Sequence, residues 1–190
     1  MKYLWLFLCF PFTLFAETAV YFTPSLDCEN QVIRLLDSAQ NKIQIAVYSI
    51  NNTQITQALL RAHERGIPIQ ILTDRTQASG KKASAPLLKK EGIDIKVHSK
   101  HRIEHNKFMV VDENTVITGS YNWTNPASLK NSENCLLVWN DADTVAKYVN
   151  RFEYLWLINS DKKSDDWFSR RGITSDEPED NPEDVPEDIE

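Results

Sequence analysis

Two apolar runs, "KIQIAVYSI" and "PIQILTD", are separated by a segment that carries Ile55, Ala58 and Leu59 on one helical face and stops at Gly66. A strand, a helix of about three turns and a second strand in this order already restrict the chain to sheet-and-helix architectures. The pattern extends both ways. "AVYFTP" reads as an earlier strand, followed by a helix that Asp27 can cap and that carries Val32, Ile33, Leu36 and Ala39. Thr53 can cap the helix between the two runs. Beyond "PIQILTD" come a basic loop, "RTQASGKKAS", a short helix around Pro86 to Lys90, and a strand at "IDIKVHS".

The second half changes its connections. "KFMVVD" and "TVITGS" are joined only by "ENT", a hairpin spacing, and "NCLLVW" adds one more strand. A last helix, Asp141 to Asn159, aligns Val145, Tyr148, Val149, Phe152, Leu155 and Trp156 as a core stripe. Helices between early strands and a hairpin between later ones predict an α/β fold: a mixed sheet with helices on both faces, in a single domain. No internal repeat is visible in the body.

The ends read differently. Lys2, the apolar run Tyr3 to Phe15 and the small Ala16 describe a secretory signal peptide over residues 1–16. The run is short for a membrane span of about 20 residues. The expected location is therefore periplasmic or secreted, with a membrane anchor as the alternative if the segment stays uncleaved. Export permits a disulfide between Cys28 and Cys135, the two cysteines that follow the signal. Residues 161–190 read as a polar, acidic tail without fixed structure, which leaves 17–160 as the folded domain. The net charge of −6 comes from Asp176 to Glu190, with nine acidic residues and no basic one. The remainder of the mature chain is close to neutral, so overall charge excludes no anionic substrate.

The chemistry concentrates in "HNKFMVVD". Strand alternation sets His105 and Lys107 on one side of the sheet, a nucleophile beside a cation, and Asp112 closes the stretch. Ser120 and Asn122 in "GSYNWT" repeat the two-residue offset and add a hydroxyl and an amide donor. Histidine, lysine, serine and asparagine together suit the oxygens of a phosphate. Tyr121 and Trp123 alternate away from them, towards the core. His63 reads as helix surface and His98 as the polar face of a strand, while His101 lies near enough to touch substrate. Lys81, Lys82, Lys100 and Arg102 form a basic rim, whose plain reading is solvation and whose functional reading is attraction of a polyanion.

"HNKFMVVD", "TGSYNWT" and "NSENCLLVW" in this order resemble the phospholipase D superfamily, in particular its small bacterial members with one H-x-K motif that act as endonucleases. "IAVYSI" and "QALLRAHERGIPIQILTD" look like the same family. The resemblance implies phosphodiester hydrolysis without metal or other cofactor, through a phosphohistidine. It makes His105, Lys107, Asp112 and Glu133 the catalytic set, with Lys107, Ser120 and Asn122 on the phosphate. Glu133 would orient the imidazole, and Asp112 would support the loop rather than act as acid or base. A single motif implies a homodimer in which two His105 residues share one active site. The implied substrate is nucleic acid, DNA and also RNA. A phospholipid headgroup is the first alternative, and a non-catalytic nucleic-acid-binding module of the same fold is the second.

Overall fold

The computed structural model describes residues 16–173. The expected signal segment, Ala16 apart, and the acidic residues 174–190 lie outside the described residues. Among the described residues seven strands form one sheet: β1 (Glu17–Phe22), β2 (Ile43–Val47), β3 (Ile69–Asp74), β4 (Asp94–His98), β5 (Lys107–Val111), β6 (Thr115–Gly119) and β7 (Asn134–Trp139). Their order is β1-β7-β6-β5-β2-β3-β4. β2, β3 and β4 run parallel, and every other pairing is antiparallel. The mixed sheet is as expected.

Seven helices of the described residues connect and cover it: α1 (Asp27–Ser38), α2 (Thr53–Glu64), α3 (Arg75–Ala78), α4 (Ala85–Lys90), α5 (Asn125–Leu129), α6 (Ala142–Ile158) and α7 (Asp161–Ser169). Strand alternation sorts the core into two layers. Ile43, Ile45 and Val47 of β2 pack with Val32, Leu36, Ile55 and Leu59 of α1 and α2. Ala46, Leu72, Phe108, Val110 and Val116 face the other way, onto Val145, Phe152 and Leu155 of α6. β2, covered on both faces, is buried at all its positions. Among the described residues no helix is long and apolar enough to cross a membrane.

The helix starts differ by one residue from expectation. Asn52, not Thr53, caps α2 by accepting the Ile55 N–H. Asp27 is the first residue of α1 rather than its cap. The basic loop after β3 contains α3, capped by Asp74.

Residues 161–169 correct the predicted boundary of the tail. They form α7, capped by Ser160, which buries Ser164, Trp167 and Phe168 against β4. Its average composition is polar, but two large apolar side chains on one face contribute roughly 2–3 kcal/mol each when buried. Lys96, buried in β4, holds the α6–α7 junction by donating to the Trp156 and Asn159 carbonyls and pairing with Asp161 at 2.8 Å.

Candidate active site

The registers bring the C-terminal ends of β2, β3, β4 and β6 to the same edge of the sheet as the starts of β5 and β7. Open α/β sheets place ligands outside the carboxyl ends of their parallel strands. His105, Lys107, Ser120, Asn122 and Glu133 all fall at this edge.

His105 is exposed and stands in the segment before β5, so strand alternation does not orient it. Three contacts do. The Tyr48 N–H donates to the Asn106 carbonyl at 2.9 Å and extends the β2–β5 ladder past the strand. Lys107 Nζ donates to the His105 carbonyl at 2.5 Å. The imidazole leans on the Tyr48 ring, with centroids 4.7 Å apart. Lys107 Nζ also sits 5.1 Å from the centre of that ring.

Lys107 is only 8% exposed. Burial lowers the pKa of its ammonium below the usual lysine value, against the opposing pull of Glu133 and Glu104. A phosphate at this edge would meet a poorly hydrated cation, where electrostatic attraction is strongest.

Gly119 ends β6 at φ +149°, and a Cβ there would collide with the Asn134 carbonyl oxygen. The close approach lets that carbonyl accept both the Ser120 and the Tyr121 N–H, at 3.1 and 3.2 Å. Ser120 Oγ accepts the Asn134 N–H at 3.1 Å. Asn122 Oδ1 is buried and has no hydrogen-bond partner among the described residues. Amide oxygen and nitrogen are assigned from their surroundings, so this position can equally present an N–H donor to a phosphate oxygen. Tyr121 and Trp123 are buried, at 3% and 2% exposure, as alternation requires. Trp123 bridges to Ile50, and its carbonyl accepts the Asn51 and Asn52 N–H groups, which fixes the Asn122 loop to the end of β2.

Glu133 is held by the chain before β1 turns into α1: its N–H donates to Thr23 Oγ1 and its carbonyl accepts the Thr23 N–H. Its carboxylate accepts from Asn131 Nδ2 at 3.0 Å. Among the described residues it makes no hydrogen bond to His105, so the orienting contact implied by the resemblance is not formed within one chain.

The structure does not bring Asp112 to this edge. It follows the last residue of β5, about 16 Å along the strand from Lys107. There, at φ +52°, it accepts the backbone N–H groups of Gln40, Asn41 and Lys42 at 3.0, 2.7 and 3.0 Å. It braces the α1–β2 loop, the supporting role named for it.

Sequence reasoning missed the residues behind the site. Tyr48 lies within a run that reads as ordinary strand. Glu104, 2% exposed, precedes His105 and accepts the Asn106 N–H and Nδ2, while its own N–H donates to buried Asp74. His98 is not on a polar face but 4% exposed, 3.6 Å from Glu104 and 3.0 Å from the His101 ring. On the other flank, buried Glu29 accepts from Asn52 at 2.8 Å and Ser128 at 2.7 Å. Ser128 also bonds the Tyr121 hydroxyl, whose pKa burial pushes up to about 12. Cys28 and Cys135 form the disulfide, which joins α1 to β7 beside Asn134. Among the described residues no three His, Cys, Asp or Glu side chains converge as a metal site; the donors at the edge are a lysine, a hydroxyl and an amide. Lys81, Lys82, Lys100 and Arg102 are exposed.

Comparison with known proteins agrees with this geometry. The family model described as cardiolipin synthase, PLD-like domain, matches residues 32–156. A phospholipase D of Rickettsia typhi is 30% identical over 154 residues, 81% of this chain and 68% of the relative. The mitochondrial cardiolipin hydrolase of Mus musculus is 29% identical over 127 residues, 67% of this chain and 57% of the relative. Among solved structures, the phospholipase D family member Nuc from Salmonella typhimurium superimposes with a TM-score of 0.71 at 30% identity, over 76% of this chain and 97% of Nuc. NucT from Helicobacter pylori shares the fold, with a TM-score of 0.69 at 24% identity, over 76% and 98%. The family model and the relatives together place this chain among the phosphodiesterases of one superfamily. This chain belongs to the phospholipase D superfamily.

Proposed function

We propose that this chain is a metal-independent nuclease that cuts nucleic acid through a phosphohistidine on His105. The observation that carries the reading is the pairing of an exposed imidazole with a buried lysine whose ammonium donates to that histidine's own carbonyl. An imidazole nitrogen of His105 attacks phosphorus and the bond to the leaving oxygen breaks. That oxygen takes a proton from a second histidine, which then removes a proton from water as the water oxygen displaces the first imidazole. Lys107, Ser120 and Asn122 hold the non-bridging oxygens.

No second histidine of this chain suits the task. His98 is buried, His101 is engaged with it, and His63 lies at the opposite edge of the sheet, beside the starts of β3 and β4. His105 of a second copy, related by a two-fold axis, supplies the missing group and makes the active unit a homodimer. Glu133, unbonded to the imidazole of its own chain, is free to meet that of the other. The disulfide and the apolar start of the sequence favour an exported, periplasmic or secreted enzyme.

The test is cleavage of plasmid DNA and RNA oligonucleotides in excess chelator. Wild type is expected to cut and His105→Ala to lose activity completely; a requirement for divalent metal overturns the reading. Acid quench should trap a covalent phosphohistidine, and binding without adduct or turnover favours a non-catalytic module. Activity that persists far below the dimer's dissociation concentration removes the shared site.

One observation favours a phospholipid headgroup instead. Phe22, Leu26 and Leu129 are exposed, on segments tied together by the Ser25 N–H to Ser128 carbonyl bond beside Glu133. Such a patch would suit a lipid surface. Hydrolysis of cardiolipin or phosphatidylcholine vesicles in preference to polynucleotides decides for it.

A further inference from the structure

Beside the catalytic edge, α3 and α7 enclose a cleft of about 360 Å³ lined by Arg75, Thr76, Ser79, Trp167, Arg170 and Arg171. All three arginines are exposed. Among the described residues none of them pairs with a carboxylate. Arg171 lies over the Trp167 indole, 3.9 Å from its centre, and donates to the Trp167 carbonyl. Its guanidinium is thereby held at the cleft wall. Three guanidiniums around one hollow repel each other until an anion enters, and phosphate oxygens match their planar donors.

The cleft is connected to the catalytic histidine through defined contacts. Asp74 caps α3 and accepts the Glu104 N–H next to His105. Gln77, on the same four-residue helix, donates to the Tyr48 hydroxyl at 2.9 Å, and Tyr48 carries the His105 ring. Lys81 and Lys82 continue the positive surface just beyond α3. α7 lies outside residues 32–156, the span that the family model matches, so half of the cleft is added to the shared domain.

From this placement we infer that the cleft is a subsite for the sugar-phosphate backbone of a nucleic-acid strand, holding phosphates on one side of the bond being cut. It rests on the nuclease reading for its substrate. Trp167 is 5% exposed and its face is covered by Arg171, so it offers no platform for a base. The contacts are to backbone alone, which gives affinity without sequence preference.

The test uses the full chain as wild type, Arg75→Gln, Arg170→Gln and the double variant. Neither arginine packs in the core, and Arg75 and Arg170 stand on different elements. Substrates are a fluorescent single-stranded DNA and bis(4-nitrophenyl) phosphate, whose single phosphate is the one cleaved and leaves none for the cleft. The double variant is expected to raise KM for the oligonucleotide about tenfold more than for the small diester. The log–log salt slope should shrink by about 1.4, two single-strand phosphate contacts. Equal shifts for both substrates overturn the subsite. So does tighter oligonucleotide binding by the variant, which would mean that another polyanion, such as the acidic stretch 176–190, occupies the cleft. Fluorescence anisotropy separates the two levels. Arginine-dependent binding without any cleavage of polynucleotide overturns the nuclease reading and leaves the subsite standing; arginine-independent binding removes the subsite whatever the enzyme cuts.

Discussion

The imidazole of His105 rests against the phenol ring of Tyr48, centroids 4.7 Å apart and planes tilted by 59°. His105 lies in a loop, and the ring contact is the side-chain support the structure gives it. Tyr48 is itself fixed at its hydroxyl by Gln77. Tyr48→Leu should release the imidazole and lower kcat by roughly 10²-fold, the effect of an ångström-scale misplacement. Tyr48→Phe keeps the ring and should lose far less. If both variants lose kcat equally, the hydroxyl acts on substrate and the packing role is wrong; a rise in KM alone points the same way.

Lys107 titrates below the ordinary lysine range because burial disfavours its ammonium form, an effect that Glu133 and Glu104 reduce. In the proposed mechanism phosphate binding needs that ammonium. As pH rises through the lowered pKa the charge is lost, so kcat/KM should fall on an alkaline limb beneath the ordinary value near 10.4. Glu133→Gln removes one opposing influence and should move the limb lower still. For stability the sign is opposite: between the folded and unfolded pKa values the unfolded chain holds the extra proton, so stability rises with pH. A pH–rate profile with no alkaline limb before the usual lysine range counts against the assignment.

The sheet was legible because each strand carries its own apolar alternation and each connection its length. The candidate edge was legible because H-x-K and G-S-x-N place chemically telling residues two apart. What stayed hidden depends on contacts between distant segments. Nothing in the sequence marks Glu104 as buried, yet Asp74 accepts its N–H and Asn106 donates to its carboxylate inside the protein. His98 reads as a polar-face residue only if nothing covers β4, and the unanticipated α7 and the end of α6 do cover it. α7 itself was masked by the seven charged or hydroxyl-bearing residues that accompany Trp167 and Phe168 in its nine. Asp112 belongs to the same stretch as His105, but a strand runs its ends apart, so sequence adjacency to the motif carried no information about the site.

The Cys28–Cys135 disulfide closes 107 residues of chain and fastens α1 to β7 two positions after Glu133. Linking distant residues restricts the unfolded chain, and its loss should lower stability by about 2–5 kcal/mol. For a domain of this size that is a fall in Tm of roughly 5–15 °C. Calorimetry of wild type with and without reductant, beside Cys28→Ala/Cys135→Ala, gives the measurement. The double variant should be insensitive to reductant. A reductant-insensitive wild type in which Cys28 and Cys135 are both alkylated would show that the bond is absent from the native protein.

The last expectation concerns acid. His98 Nε2 accepts the His101 N–H at 2.7 Å, which requires a free lone pair on that nitrogen. Burial lowers the His98 pKa below 6.5, and His101 and Arg151 act in the same direction, while Glu104 and Asp74 oppose them. A base with a depressed folded pKa leaves the unfolded chain holding the extra proton once pH drops below the unfolded value. Stability should therefore fall as pH decreases from about 6.5 towards the lowered folded pKa, and level off below it. Protonation also removes the His101 contact, in the segment that leads to His105, so kcat should decline over the same window. His98→Gln keeps an acceptor without a titrating ring. Its Tm should decline less than that of wild type between pH 7 and pH 5, whatever its stability at neutral pH. Parallel declines in the two proteins would place the acid sensitivity elsewhere.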